Sequence, residues 1–481
     1  MGRFGCGRRE AGRVCPTIRG ERHPGGIAPS GYRDRVRTPI SQSREILALA
    51  VPAFLALVAE PLFLLADTAI VGHLGTAQLA GLGVASAILV TAAGVFVFLA
   101  YGTTSIVARQ VGAGHERAAL ASGLDGIWLA LILGVPTALG VGLGAGPLCG
   151  LFGASADALG QATTYLGISA AGIPAMLVVL AATGALRGLQ DTRTPLVAAV
   201  LGFGGNVVLN LWFVLGLGWG IAGSAWGTVI AQTAMALGLV LVVVRRALRA
   251  HAPLRPEPGR VLRAAATGVP LLVRTLALRA ILLVTTWVAA GLGDVPLAAH
   301  QVAGTIWTFQ AFALDALAIA AQALTGKALG AGNALVARAA TATMIRWGAW
   351  SGLALGLVLA AGYGIIPAVF TADPAVRAAL GAALLVIGGT GWLSGLVFVV
   401  DGVLIGAGDG RWLAGAMVAT LALYLPFVLA VRWQTPSLAA LGDPAAVAVL
   451  WLVFMVFMAI RWAFLWHRVR GDAWLVTGAE R

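Results

Sequence analysis

Apolar positions along this chain gather into long runs separated by short polar stretches. Six runs, at about 46–72, 79–108, 118–146, 161–187, 194–217 and 221–246, precede six more at 263–291, 297–327, 339–367, 377–405, 412–432 and 444–467. Each is long enough for a helix to cross a hydrocarbon layer, which takes about 20 residues. The pattern predicts an all-α polytopic membrane protein with twelve transmembrane helices in two six-helix bundles.

The second half repeats the first. Gly184, Leu186, Gly188, Asp191 and Arg193 recur as Gly402, Leu404, Gly406, Asp409 and Arg411, each 218 positions later. The same register pairs Val51-Pro52 with Val269-Pro270, Leu74-Gly75 with Leu292-Gly293, and Gly112-Ala113-Gly114 with Gly330-Ala331-Gly332. An internal duplication in a very apolar chain is the ground plan of many secondary transporters. Pro52 and Pro270 are expected to kink spans one and seven, either as hinges of a transport cycle or as packing kinks.

Composition agrees with a bilayer setting: the mean hydropathy is +0.91 and 11% of residues are charged. Three cysteines, Cys6, Cys15 and Cys149, give no disulfide framework, and the six histidines show no metal-ligand spacing. The net charge of +13 is concentrated beside the membrane. Residues 1–44 hold ten Arg against three acids, and 245–263 hold six Arg against one. Arg109, Arg117, Arg187, Arg193, Lys327, Arg338, Arg411, Arg468 and Arg470 fall on the same side of the twelve-span arrangement; Arg377 and Arg432 do not. The positive-inside rule makes that side cytoplasmic, with both termini inside. Each half then starts and ends inside, so the halves are parallel repeats. The expected organisation is a basic, disordered tail over 1–44, a bundle over 45–247, a cytoplasmic linker over 248–262, a second bundle over 263–468 and a cytoplasmic tail over 469–481. The tail is either a disordered extension, a stretch upstream of the true start, or a lipid- or nucleic-acid-binding segment.

Positions where the copies differ are the better candidates for chemistry. Asp67 faces Thr285 by register, Asn206 faces Tyr424, Asn210 faces Val428, Thr228 faces Ala446 and Tyr165 faces Ala383. Asn206 and Asn210 are one helical turn apart and share a face. An intramembrane Asp costs several kcal/mol unless it is paired, solvated or protonated. Asp67 is therefore either a packing residue hydrogen-bonded locally or a group that binds H⁺ or, with neighbouring oxygens, Na⁺. Glu60, seven residues earlier on nearly the same face, lines the same cavity or is satisfied beside Pro61. In the second half, Arg274, Arg279, Asp315 and Asp401 suggest compensating ion pairs or a relay. The Gly-rich turns are expected to be structural, with Asp191 tied to Arg193 and Asp409 to Arg411. No nucleophile–base pair or metal set occurs in the spans, so an enzyme is not expected, nor a cofactor. A channel would usually present an oligomeric pore, which two unlike halves do not suggest.

Several segments resemble one family. EPLFLLADTAIVGHLGTAQLAGLGVA (60–85), GALRGLQDTRTPL (184–196), NVVLNLWFVLGLGWGIAGSAWGTVIAQ (206–232), RTLALRA (274–280), LAAHQVA (297–303) and DGVLIGAGDGR (401–411) are similar to the multidrug and toxic compound extrusion (MATE) family, most of all to its DinF-like branch. The resemblance covers about residues 45–465. It implies two bundles around a central cavity, alternating access, and exchange of H⁺ or Na⁺ for export of small organic, often cationic or amphipathic, compounds. It also implies a coupling site in the first bundle, with Asp67 matching the first-helix aspartate and Tyr165, Asn206 and Thr228 matching cluster positions. Asn210 replaces an aspartate of several relatives, and Thr183 stands where some carry Asn. One carboxylate then remains, which favours H⁺ over Na⁺. The expected partners are an organic substrate and the bilayer of the cell membrane, with no nucleic acid, and the expected state is a monomer. The alternative is a lipid or glycolipid flippase of the same fold.

Overall fold

The computed structural model describes residues 39–479 except Ala154. The basic tail expected over 1–44 falls mostly on residues 1–38, which lie outside the described residues, as do Cys6 and Cys15. In lipid every backbone polar group must be satisfied within the segment, so the apolar runs form helices. These are α1 (Pro39–Gly72), α2 (Thr76–Phe96), α3 (Phe98–Gly112), α4 (Glu116–Leu143), α5 (Ala145–Gly150), α6 (Ala156–Ala170), α7 (Ile173–Gly188), α8 (Arg193–Asn210) and α9 (Gly220–Arg249) in the first half. The second half holds α10 (Pro258–Leu292), α11 (Asp294–Gly330), α12 (Ala334–Ala361), α13 (Ile366–Phe370), α14 (Pro374–Gly389), α15 (Gly391–Gly406), α16 (Gly410–Trp433), α17 (Thr435–Leu441) and α18 (Asp443–Arg470).

Ten unbroken stretches are long and apolar enough to cross a membrane, α2 and α3 together forming one of them. Two bent pairs, α6 with α7 at 51° and α14 with α15 at 55°, complete the twelve spans. The bends fall at equivalent places, around Gly172 and Thr390. Pro52 and Pro270 sit inside the continuous helices α1 and α10. A proline inside a helix removes one hydrogen bond, and neighbouring helices let a membrane helix tolerate that loss.

Packing repeats with the sequence. α1 lies on α8 as α10 lies on α16, α4 on α7 as α12 on α15, and α2 on α6 as α11 on α14. The halves meet through α1 on α11, α3 on α10, and α3 on α11. At this last seam Gly112 of α3 lies on the Lys327 carbonyl, and Gly330 of α11 lies on the Arg109 carbonyl, so closely that a Cβ on either would overlap backbone. The two contacts are mirror uses of one register.

The two cations here explain why a basic residue recurs in both copies. Arg109, 3% exposed, donates to the Ala407 carbonyl at 2.8 Å, in the turn after α15. Lys327 donates to Gln190 Oε1 at 2.6 Å, in the equivalent turn after α7. Each half thus reaches across to the other's turn. The second-half turn has Gly408 at φ 71°, whereas the first has Gln190 at φ 62°, a conformation that favours glycine. The amide that accepts from Lys327 is supplied by that strained residue. Ser105 adds a hydroxyl bond to the Gly406 carbonyl at 3.3 Å.

The acidic turn residues tie differently from the sequence expectation. Asp191 accepts from the Thr194 backbone N–H at 2.9 Å and hydroxyl at 2.7 Å, and pairs with Arg246 rather than Arg193. Burial works against its ionisation, but the bonds from Thr194 and Arg246 hold its pKa below the usual aspartate value. Asp409 pairs with Arg468 at 2.7 Å rather than Arg411. In each turn the acid points inward to the last helix of its own bundle. The two cations on the other side serve local ties: Arg377 donates to the Thr371 carbonyl at 2.7 Å, and Arg432 to the Gly291 carbonyl at 3.0 Å while lying over Trp287.

The C-terminal segment is a strap. Arg109 donates to the carbonyls of Val476 at 2.8 Å and Gly478 at 2.9 Å, and the Gly478 N–H donates to the Leu329 carbonyl at 3.0 Å. Trp474 is fully buried. The strap therefore joins α3 of one half to α11 of the other on the basic face.

A leucine at Gly112 or Gly330 has no room while this seam is closed, and overpacking of this kind costs about 1–3 kcal/mol. Gly330→Leu is expected to lower the melting temperature. It should also speed thiol labelling of a cysteine placed at the buried seam (Ser105→Cys) in a background without native cysteines. Unchanged labelling would show that this contact does not hold the halves together.

Candidate functional site

The first bundle carries a polar cluster far from the basic face. α1 leaves that face near Ala48, whose carbonyl accepts from Thr192 at 3.5 Å. Asp67 lies nineteen residues further along α1, roughly 28 Å at helical rise. It is 3% exposed. Its Oδ1 accepts from Asn210 Nδ2 at 2.7 Å and from Ser224 Oγ at 2.5 Å, and its Oδ2 accepts from the Tyr165 hydroxyl at 3.3 Å. One turn along α8, Asn206 Nδ2 donates to Thr228 Oγ1 at 3.1 Å.

Local sequence makes this convergence possible. α8 gives way to a π-helical turn, Leu211–Gly216, directly after Asn210. π-Turns inside helices recur at functional sites because they re-aim side chains. Gly227 of α9 lets the Asn210 amide approach; a Cβ there would overlap Asn210 Oδ1. Ser224 and Thr228 are one turn apart on α9 and so face the same space. Val71, Leu82, Ala162, Leu166 and Ala225 form a buried apolar cluster around Tyr165.

The electrostatics are one-sided. Each hydrogen bond to Asp67 comes from a neutral donor, and among the described residues no Arg, Lys or His pairs with it. The amide oxygens of Asn206 and Asn210 are buried without a hydrogen-bond partner. The cluster thus offers a carboxylate and two free carbonyl oxygens, a donor set that suits a proton or a small hard cation.

The same place in the second half is neutral. Thr285 and Tyr424, the register partners of Asp67 and Asn206, hydrogen-bond each other at 2.7 Å, and Tyr424 packs edge-on against Phe457. Charge in that half lies elsewhere. Asp401 is buried between two guanidinia, pairing with Arg274 and with Arg461 at 3.0 Å. Of the four residues expected to form compensating pairs, Arg274 and Asp401 pair, while Arg279 and Asp315 make no ion pair among the described residues. Arg274 and Arg279 stand about 140° apart around α10, so they cannot share a partner side. Arg279 is exposed and lies over Gly94 of α2. Asp315 makes no ion pair among the described residues, although the charges of Arg187 and Arg274 act on it.

Two further candidates stand apart from the Asp67 cluster. Glu60 is exposed on the α1 face that carries Asp67, one turn beyond Leu57, which packs with Ala53 against Ala316 and Ile319 of α11. It therefore lies where the halves begin to part. Thr183 is half-buried on α7 and is not bonded to Asp67. Ser224 and Arg461 are the residues that sequence reasoning missed. Both were detectable, since Ser224 faces Gly442 by register and Arg461 is a cation inside an apolar run.

Comparison with known proteins places this geometry. The MatE family model matches residues 52–212 and again 270–430, two ranges separated by the same 218 positions. The chain is 32% identical to Protein DETOXIFICATION 44, chloroplastic, of Arabidopsis thaliana, covering 87% of this chain and 80% of that one. It is 30% identical to DNA damage-inducible protein F of Escherichia coli, covering 91% and 95%. A mutant of the Vibrio cholerae MATE transporter VcmN has the same fold, with a TM-score of 0.81 at 20% identity over 91% of this chain and 99% of that one. A duplicated twelve-span architecture, one family model matching both copies, and relatives along almost the whole chain lead to one conclusion: this protein belongs to the MATE family of membrane transporters.

Proposed function

We propose that the protein is a secondary antiporter that exports small organic, often cationic or amphipathic, compounds in exchange for H⁺. The observation that carries this reading is Asp67: a buried carboxylate held by three neutral donors, at a place where the other half has only a Thr–Tyr pair. Such a group cycles between −1 and 0 without breaking an ion pair. Loading it shifts the first bundle between two packings to the extent that the cation binds one packing better. The closed basic seam supports a state open toward the opposite face. That basic face is the cytoplasmic one by the positive-inside rule, which sets both termini inside the cell membrane. One chain holds both halves and serves as the working unit. The names of the relatives, DETOXIFICATION among them, support small organic compounds as cargo.

The partnerless oxygens of Asn206 and Asn210 favour a second coupling ion, Na⁺ held with Asp67 and Thr228. In proteoliposomes with pH and Na⁺ gradients imposed separately, the gradient that drives efflux identifies the ion.

Asp67→Asn is expected to reduce gradient-driven efflux to the level of empty liposomes while leaving the melting temperature near that of the wild type. Thr285→Val, at the equivalent neutral position, should retain coupled transport. Wild-type efflux in Asp67→Asn would remove the proposed engine. Asp401→Asn should behave in the opposite way. It leaves two buried guanidinia without their shared anion, a loss of about 3–5 kcal/mol. A clear fall in melting temperature is the expected readout, and an unchanged one would reassign Asp401 from the scaffold.

A further inference from the structure

A groove apart from the Asp67 cluster lies between α1 and α12. It measures about 570 Å³ and is lined by Ser43, Thr343, Arg346, Trp347, Trp350 and Ser351. From these residues we infer that the groove binds the headgroup of an anionic phospholipid on the basic face.

Depth is the first argument. Ser43 precedes the buried Ile46 of α1, and its neighbour Arg44 is exposed. The groove therefore lies at the boundary between water and hydrocarbon, where lipid phosphates sit. Tryptophan is enriched at that level because its ring is apolar with one polar edge. Trp350, 70% exposed, and the half-buried Trp347 form the wall.

Charge is the second. Arg346 is exposed, and among the described residues it makes one long hydrogen bond, 3.5 Å, to the Thr343 hydroxyl. Among the described residues no carboxylate pairs with it. A guanidinium presents a planar fork of donors that suits phosphate, and Ser43 and Ser351 line the same groove with hydroxyls. Basic pockets between membrane helices recur as sites for anionic headgroups.

The other copy supplies the third. By register Thr343 corresponds to Asp125 and Arg346 to Trp128. In the first half this place is already filled by the linker: Asp125 pairs with Arg260 at 2.7 Å, and Trp128 donates to the Leu254 carbonyl at 3.2 Å. The second half replaces the acid with a hydroxyl and adds a cation, so the polarity is reversed and the fitting occupant is an anion. The chain before Pro39 carries nine Arg against three acids and is a poor counter-charge for Arg346.

Native mass spectrometry of the full-length protein in mild detergent tests this directly, with dioleoylphosphatidylglycerol and dioleoylphosphatidylcholine added in parallel. The wild type is expected to retain phosphatidylglycerol in preference to phosphatidylcholine. Arg346→Gln should weaken that retention roughly ten-fold, the effect of losing one charge-assisted hydrogen-bonded contact. Arg346→Lys should keep part of it. Arg338→Gln, which removes an exposed cation already paired with Asp472 on the same helix, should leave it unchanged. Trp350→Ala, on the exposed rim, should also weaken retention and gives a second variant if Arg346→Gln does not fold. Equal retention of the two lipids, unchanged phosphatidylglycerol binding in a folded Arg346→Gln, or displacement by glycerol 1-phosphate at the same concentration would each overturn the inference.

Discussion

A carboxylate inside a helix bundle, paired with no guanidinium or ammonium among the described residues, constrains all that surrounds it. Asp67 needs donors, and the fold supplies them from three helices: Tyr165 from α6, Asn210 from α8 and Ser224 from α9. Those helices can converge only because α8 loosens into a π-turn after Asn210 and α9 has Gly227 where the amide passes. The result leaves a negative charge that is solvated by dipoles but not neutralised. In a low-dielectric setting such a site favours the entry of one positive charge.

The second half shows what the same scaffold does without that demand. Thr285 and Tyr424 satisfy each other, and aromatic packing closes the space around them. Its own buried acid, Asp401, lies between Arg274 and Arg461 and is fixed by two ion pairs. Breaking that arrangement would strand charge in the interior, so it suits a rigid element. The halves thus differ in their buried charge: one bundle holds a carboxylate among neutral donors, the other holds a carboxylate between two guanidinia.

The seam on the basic face links the two. Arg109 and Lys327 each reach a turn of the opposite half, and glycines at 112 and 330 bring the backbones together. These bonds are made by buried and half-buried polar groups and lie beside an apolar core that itself spans both halves, with Phe98 and Leu99 among its members from α3. Each such contact is individually modest. The strap through Val476 and Gly478 adds main-chain acceptors to Arg109 from the far end of the chain.

Much of this was legible in the sequence. The twelve spans followed from apolar run length, because lipid leaves a backbone few alternatives. The duplication, read from Gly184–Arg193 and Gly402–Arg411, placed the two halves in register, and the differences between copies picked out Asp67, Asn206, Asn210, Thr228 and Tyr165. The three-dimensional fold decided which of these meet, added Ser224 and Arg461, placed sharp bends at Gly172 and Thr390, and joined Asp191 to Arg246 instead of Arg193. The reason is physical. Run length and register are properties of one chain segment at a time, whereas a hydrogen bond or ion pair depends on the rotation and approach of helices that are distant in sequence.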